Sequence, residues 1–152
     1  MKLQNLISRL EKHHSRKIDL SLGRTFNLLK KLGNPQDKLN NIVNVIGTNS
    51  KGTLGLVLKS ILNESGFKTN LTQSPHLQSY TERFIFNDKK IEEDELIELL
   101  TNVEKVLGND SITIYEFLIC AFLKHAEQFK DNVNICEAGL FFSYDATNVF
   151  KK

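Results

Sequence analysis

"NIVNVIGTNSKGTLGLVLKSIL", residues 41–62, passes from a short apolar run through a polar, glycine-containing loop to a stretch whose apolar residues recur three and four apart. The run from Ile42 to Ile46 is rich in β-branched residues and stops at Gly47, which predicts a buried strand. Leu54, Val57, Leu58, Ile61 and Leu62 repeat at helical spacing until Gly66, which predicts a helix. Strand, loop, helix is the building unit of α/β folds. Its loop can aim backbone N–H groups at an anion, and the positive end of the following helix dipole favours the same charge.

In this loop Gly47 lets the backbone come close, Lys51 can reach the β and γ phosphates of a nucleotide, and the Thr53 hydroxyl can coordinate Mg²⁺. The order Gly47-Thr48-Asn49-Ser50-Lys51-Gly52-Thr53 departs from the common G-x-x-x-x-G-K-[ST] pattern, because the lysine precedes the second glycine. On the residues alone two readings stay open: a phosphate site, or a tight turn whose Lys51 is solvated.

Working outward, "LQNLISRLEK" (3–12) sets Leu3, Leu6, Ile7 and Leu10 on one helical face. In "LGRTFNLLKKLGNPQ" (22–36), Phe26, Leu28, Leu29 and Leu32 form a stripe that should stop near Leu32, with Gly33 as the cap and Pro35 blocking continuation. "KTNLTQSPHLQSYTERFIFNDKKIEEDELIELL" (68–100) opens with a second short strand and turns at Ser74-Pro75. It has a strand-turn element around Asn87-Asp88 and a helix from about Glu92. Thr113 and Glu116 have capping-box spacing ahead of a helix marked by Ile114, Phe117, Leu118, Ala121, Phe122 and Phe129, and "VNICEA" (133–138) is a third strand. Strands alternating with such helices imply parallel pairing through right-handed crossovers, hence an α/β fold with a parallel sheet flanked by helices.

The chain has 152 residues, enough for one domain that buries roughly 70% of its unfolded surface. With 40% hydrophobic and 25% charged residues it is ordinary in composition, and a net charge of +2 is too mild to indicate nucleic acid. No apolar run approaches the ~20 residues that span a bilayer, and charge interrupts the opening residues, so no membrane partner and a cytoplasmic location are expected. Cys120 and Cys136 sit in apolar segments without metal-type spacing and are expected to be buried, reduced thiols.

The loop resembles that of the folylpolyglutamate synthase and dihydrofolate synthase family, relatives of the Mur ligases, whose usual form is G-T-N-G-K-G-S. "LLKKLGNPQDKL", "SPHL", "ER", "ITIYEFL", "EAGL" and "DATNV" resemble further blocks of that family in the same order, from about residue 20 to residue 150. The resemblance implies a P-loop-type sheet forming an incomplete Mur-ligase-like central domain. Residues 1–152 would be part of the N-terminal ATP-binding domain, with the C-terminal glutamate-binding domain absent. It implies ATP-dependent amide formation. A carboxylate of dihydropteroate, or the terminal γ-carboxylate of a folate, takes the γ-phosphoryl group of ATP, and the amine of L-glutamate then displaces phosphate. ATP and Mg²⁺ are the implied cofactors, with Lys51 as the catalytic cation.

Glu137 ends the third strand on the same side as the phosphate loop. It is either a second Mg²⁺ ligand with Thr53, as the family pattern implies, or an exposed edge acid. Ser74, His76 and Arg83 resemble the family's loop near the ATP and pterin sites, although Thr81 stands where asparagine is usual. His76 would contact substrate or tie down the loop. Arg83 would meet a carboxylate or phosphate, or form a surface ion pair. The spacing of Glu116 from Thr113 suits a cap better than catalysis, and His13, His14 and His125 show no ligand pattern.

Two departures stand out. Ser50 replaces a loop glycine, which matters if that position needs a positive φ. The family's G-L-G-G-R-L-D-A-T-N becomes Gly139-Leu140-Phe141-Phe142-Ser143-Tyr144-Asp145-Ala146-Thr147-Asn148, losing two glycines and an arginine. Family members also continue well past this point. The expectation is therefore part of a ligase that does not complete the reaction alone, a separate chain supplying the missing domain being one arrangement. The alternative is a non-catalytic nucleotide-binding or interaction module of the same descent.

Overall fold

The structure, a computed structural model, describes residues 2–13, 21–139 and 142–150. His14 and the Leu140-Phe141 pair of the altered block lie outside the described residues. Helix α1 (Leu3–His13) buries the expected stripe of Leu3, Leu6, Ile7 and Leu10. Helix α2 (Gly23–Lys31) ends as its sequence predicts: Leu32 caps it, Gly33 takes φ +86°, and Pro35 opens a short 3-10 turn.

Strand β1 (Ile42–Val45) leads through the loop into α3 (Lys51–Glu64), then β2 (Thr69–Thr72). Strands β3 (Phe84–Phe86) and β4 (Lys89–Lys90) follow, then α4 (Glu93–Leu107), α5 (Ile114–Ala126) and β5 (Val133–Glu137). Phe129, expected in the α5 helix, lies in a 3-10 turn after it.

The sheet order is β1-β5-β2-β3-β4, with β5 running parallel to both β1 and β2. The β1-β5-β2 part carries the expected parallel pairing, and β3 and β4, the strand-turn element expected around Asn87-Asp88, add to it as antiparallel strands. The cause is local. Asn87 and Asp88 take φ 48° and 70° in a two-residue turn, and so short a link can only reverse the chain, whereas a parallel link needs a dozen residues or more.

α1, α2, α4 and α5 form the main core on one face of the sheet, with Phe117 and Phe122 of α5 fully buried beside Phe84. α3 covers the other face over Val45, Leu71 and Ile135. A Cβ on Gly55 would lie 3.2 Å from Leu71 Cδ1, so this glycine lets α3 settle close to the strands. The packed line of α3 is Gly55, Leu58 and Leu62, while Leu54, Val57 and Ile61 of the expected stripe face outward.

At the N-terminal ends of the parallel strands, two fully buried asparagines lock the register. Asn70 Nδ2 donates to Asn134 Oδ1 at 2.8 Å, Asn134 Nδ2 donates to the Asn40 carbonyl at 2.7 Å, and the Asn87 N–H donates to Asn70 Oδ1 at 2.9 Å. The opposite edge is left to the loops after Val45, Thr72 and Glu137. Cys120 and Cys136 are free and buried as expected, and burial pushes the Cys136 thiol up to about 12. Among the described residues no helix is long and apolar enough to cross a membrane.

Candidate nucleotide site

The loop at residues 46–50 leaves β1 and enters α3 at Lys51. Ser50 takes φ 63°, so the position where the family has glycine does have left-handed backbone. The first hydrogen bond closing α3 runs from the Leu54 N–H to the Ser50 carbonyl at 2.9 Å, which leaves the N–H groups of Lys51, Gly52 and Thr53 without helical acceptors. Gly47, Thr48 and Asn49 precede them on an exposed stretch. Among the described residues Lys51 makes no ion pair.

Glu137, the last residue of β5, sits in register with Val45 of β1 and is 4% exposed. The reading of it as an exposed edge acid is therefore excluded. Its Oε2 accepts the Ser74 N–H at 2.8 Å, and a Cβ on Gly52 would lie 3.6 and 3.8 Å from its two oxygens. The first turn of α3 thus rests against the carboxylate. Among the described residues Glu137 makes no ion pair, with Arg83 its electrostatic neighbour, and a buried carboxylate is costly unless a cation joins it. Among the described residues no group of three or more His, Cys, Asp or Glu could hold an ion by itself. A Mg²⁺ that keeps water and phosphate ligands needs only one or two protein oxygens, a demand the Glu137 carboxylate fits, while Thr53 stands exposed on the same first turn of α3.

Ser74 joins this centre, while His76 and Arg83 form a pair beside it. Arg83 Nε donates to His76 Nδ1 at 2.9 Å, and the guanidinium carbon lies 5.1 Å from the Tyr80 ring centre. Burial, then the Arg83 charge, holds His76 below the usual imidazole range, and the Arg83 N–H on Nδ1 leaves Nε2 to carry the proton of the neutral ring. Burial pulls the Arg83 guanidinium down, and Tyr80, Tyr115, Glu11 and Glu137 around it oppose that pull. Glu82 orders the loop itself, accepting the N–H groups of Leu77, Gln78 and Ser79 at 2.8–2.9 Å.

Glu116 completes the capping box with Thr113, and it also takes Arg24 by paired contacts of 3.2 and 3.1 Å. His125 packs on Phe86, with Nε2 3.2 Å from Glu95 Oε1.

One group escaped the sequence reading. Tyr115 Oη lies 3.1 Å from Asp145 Oδ1 and 3.3 Å from the Glu137 carbonyl. Asp145 also accepts the Gly139 N–H at 2.8 Å, the Thr147 N–H at 2.9 Å and the Thr147 hydroxyl at 2.7 Å. Burial, then Asp145, pushes the Tyr115 phenol far above its usual range. The short Asp145–Thr147 turn has a sequence signature, but nothing in sequence ties it to Tyr115.

No family model matches the chain. The dihydrofolate synthase/folylpolyglutamate synthase of Escherichia coli K12 is 35% identical to it over 149 residues, 97% of this chain and 35% of that protein. The structure of E. coli FolC in complex with DHPP and ADP superposes with a TM-score of 0.90 at 34% identity, covering 99% of this chain and 36% of that one. The bifunctional enzyme of Yersinia pestis complexed with AMPPNP and Mn ion gives 0.89 at 33% identity, covering 99% and 36%. The chain therefore spans about a third of the length of the relatives it matches.

Proposed function

With the chain belonging to the dihydrofolate synthase/folylpolyglutamate synthase family over the third of those proteins that it spans, we propose that it is the nucleotide-binding part of a cytoplasmic ATP-dependent ligase. The reaction would join L-glutamate to dihydropteroate or to a folate. The observation that carries this reading is the free N–H turn of Lys51, Gly52 and Thr53 lying against the buried Glu137 carboxylate. The ADP and AMPPNP–Mn complexes of its relatives support it.

Bound Mg-ATP would supply the phosphoryl group that makes a substrate carboxylate electrophilic. Lys51 neutralises phosphate charge, Thr53 and Glu137 hold the ion, and Ser74 fixes Glu137 through its N–H. Arg83, anchored by His76, presents its guanidinium to the acid substrate. A second reading, a nucleotide-binding module without catalysis, is favoured by the Phe142–Tyr144 turn, which stands where the family's glycines and arginine are lost.

Calorimetry with Mg-ATP and Mg-ADP tests the proposal. The parent chain binds, Lys51→Ala loses at least tenfold in affinity, and Thr53→Ala or Glu137→Ala removes most of the difference between Mg²⁺ and chelator. Equal affinity of Lys51→Ala and parent takes Lys51 out of the site, and a parent that binds neither nucleotide at millimolar concentration refutes the reading.

A further inference from the structure

Arg83 is fastened by hydrogen bonding at one atom only. Its Nε donates to His76 Nδ1 at 2.9 Å, and among the described residues its two terminal nitrogens make no hydrogen bond and no ion pair. A half-buried guanidinium with both NH2 groups free is an open fork for a carboxylate, which takes it by two parallel hydrogen bonds. Such a fork selects its ligand only if it is held at one angle, and a single bond at Nε leaves it free to swing.

The second hold is a ring. Tyr80 lies beneath the guanidinium, its ring centre 5.1 Å from Arg83 Cζ and 4.2 Å from the centre of the His76 ring. Arg83, His76 and Tyr80 therefore form a closed triangle in which each touches the other two. Tyr80 is in turn tied down from outside its loop: its hydroxyl donates to Glu11 Oε1 of α1 at 2.9 Å, across 69 residues of sequence. Burial, then that bond, pushes the phenol up to about 12, so the proton stays on Tyr80 at neutral pH and the bond keeps its direction. A phenol that donates to a carboxylate also enriches its ring in electron density, which strengthens the pull on a cation above the face.

The base of this arrangement is firm. Leu6, Ile7 and Leu10 of α1 are fully buried in the main core, and Arg9 pairs with Glu104 of α4. The capping box of Ser79 and Glu82 fixes the 3-10 turn Tyr80–Arg83, which carries both the ring and the cation. Glu137 is among the groups that act on the Arg83 charge, so the fork stands within electrostatic reach of the nucleotide centre.

We infer that Glu11 and Tyr80 are positioning residues, a strut from α1 that holds the Arg83 fork at the angle in which it takes the carboxylate of the acid substrate. This role rests on the ligase reading of the site, and the two can fail separately.

The affinity of the 152-residue chain for dihydropteroate and for tetrahydrofolate is measured by calorimetry. Arg83→Lys keeps the charge without the fork and should lose at least tenfold. Tyr80→Phe and Glu11→Ala should each lose at least fivefold, and the double substitution no more than either alone, because both cut the same strut. Glu11→Gln keeps an oxygen for the Tyr80 hydroxyl and should stay within twofold of the parent. That pair of Glu11 variants decides the matter even if Tyr80→Phe fails to fold. Tyr80→Phe and Glu11→Ala binding as the parent does, with Arg83→Lys weakened, refutes the strut and leaves the ligase reading standing. So does a Glu11→Gln chain as weak as Glu11→Ala, or losses that add in the double substitution. A parent that binds neither acid, or an Arg83→Lys chain that binds as tightly as the parent, takes Arg83 out of the site and overturns the strut with it.

Discussion

A methyl group at residue 139 would collide with the ring that closes the end of β5, since a Cβ there lies 2.8 Å from Tyr115 Cζ. Tyr115 is half-buried and held at Asp145 and at the Glu137 carbonyl, so it has little room to give. Gly139→Ala is expected to cost about 1–3 kcal/mol, read from urea midpoints, and to cost less in a Tyr115→Leu background; equal cost in both backgrounds would show that the ring is not the obstacle. Two histidines give the molecule a pH dependence of known sign. Burial lowers His76 and His125 below their ordinary value of 6.5, so the unfolded chain binds more protons at acid pH. Their contribution is present above about 6.5 and is lost as the pH falls from there through the lowered folded values. Urea midpoints at pH 7.5 and 5.5 should differ less in a His76→Gln/His125→Gln variant than in the parent, and an unchanged difference would refute the assignment. The grouping of Lys51, Gly52 and Thr53 at the start of α3 was legible because a loop's residue types lie side by side in sequence. The bond between Ser74 and Glu137 was not, because it joins residues 63 apart. A positive φ at Ser50 could be stated in advance only as a condition, because a serine in left-handed backbone costs roughly 1–2 kcal/mol and no sequence pattern requires it.

Helix α5 shows how a cap and an ion pair share one carboxylate. Thr113→Ala removes one half of the capping box and should cost about 1 kcal/mol. Glu116→Ala removes the other half together with the paired Arg24 contacts, and should cost about 1.5–3 kcal/mol. Neither substitution is expected to alter nucleotide affinity, and a tenfold loss in Glu116→Gln would move this residue into the site. Boundaries such as these were legible because caps are local: Gly33 and the Thr113–Glu116 pair both mark helix ends as their residue types predict. The orientation of α3 was not. Its apolar residues span an arc wider than one packed face, and only the layer that covers them decides which are buried. The strand-turn element around Asn87-Asp88 was visible, but the antiparallel pairing of its strand β3 with β2 was not, since pairing direction depends on where the chain returns.

The 152 residues by themselves are expected to yield no amide product from ATP, L-glutamate and dihydropteroate or tetrahydrofolate. Acyl transfer needs the amine held at near-attack distance, and loss of that positioning removes roughly 7–11 kcal/mol of assistance. Incubation with radiolabelled glutamate and separation of products checks this, and a product absent from a Lys51→Ala control would contradict it. Fold class was legible at this scale because strands and helices alternate, yet the strand order was not, since it depends on β5 entering between β1 and β2. That insertion governs how the chain comes to be folded during synthesis. Ile42 pairs with Asn134 and Asn70 with the same residue, so neither early strand has a parallel neighbour until the segment from Val133 to Glu137 has been made. At roughly 5–20 residues per second, translation from β1 to β5 takes on the order of ten seconds, during which the nascent Ile42–Val45 strand is unpaired and open to misassembly on the ribosome. A ribosome stalled before residue 133 should therefore present a protease-sensitive β1, and one stalled well beyond Val149 a protected one.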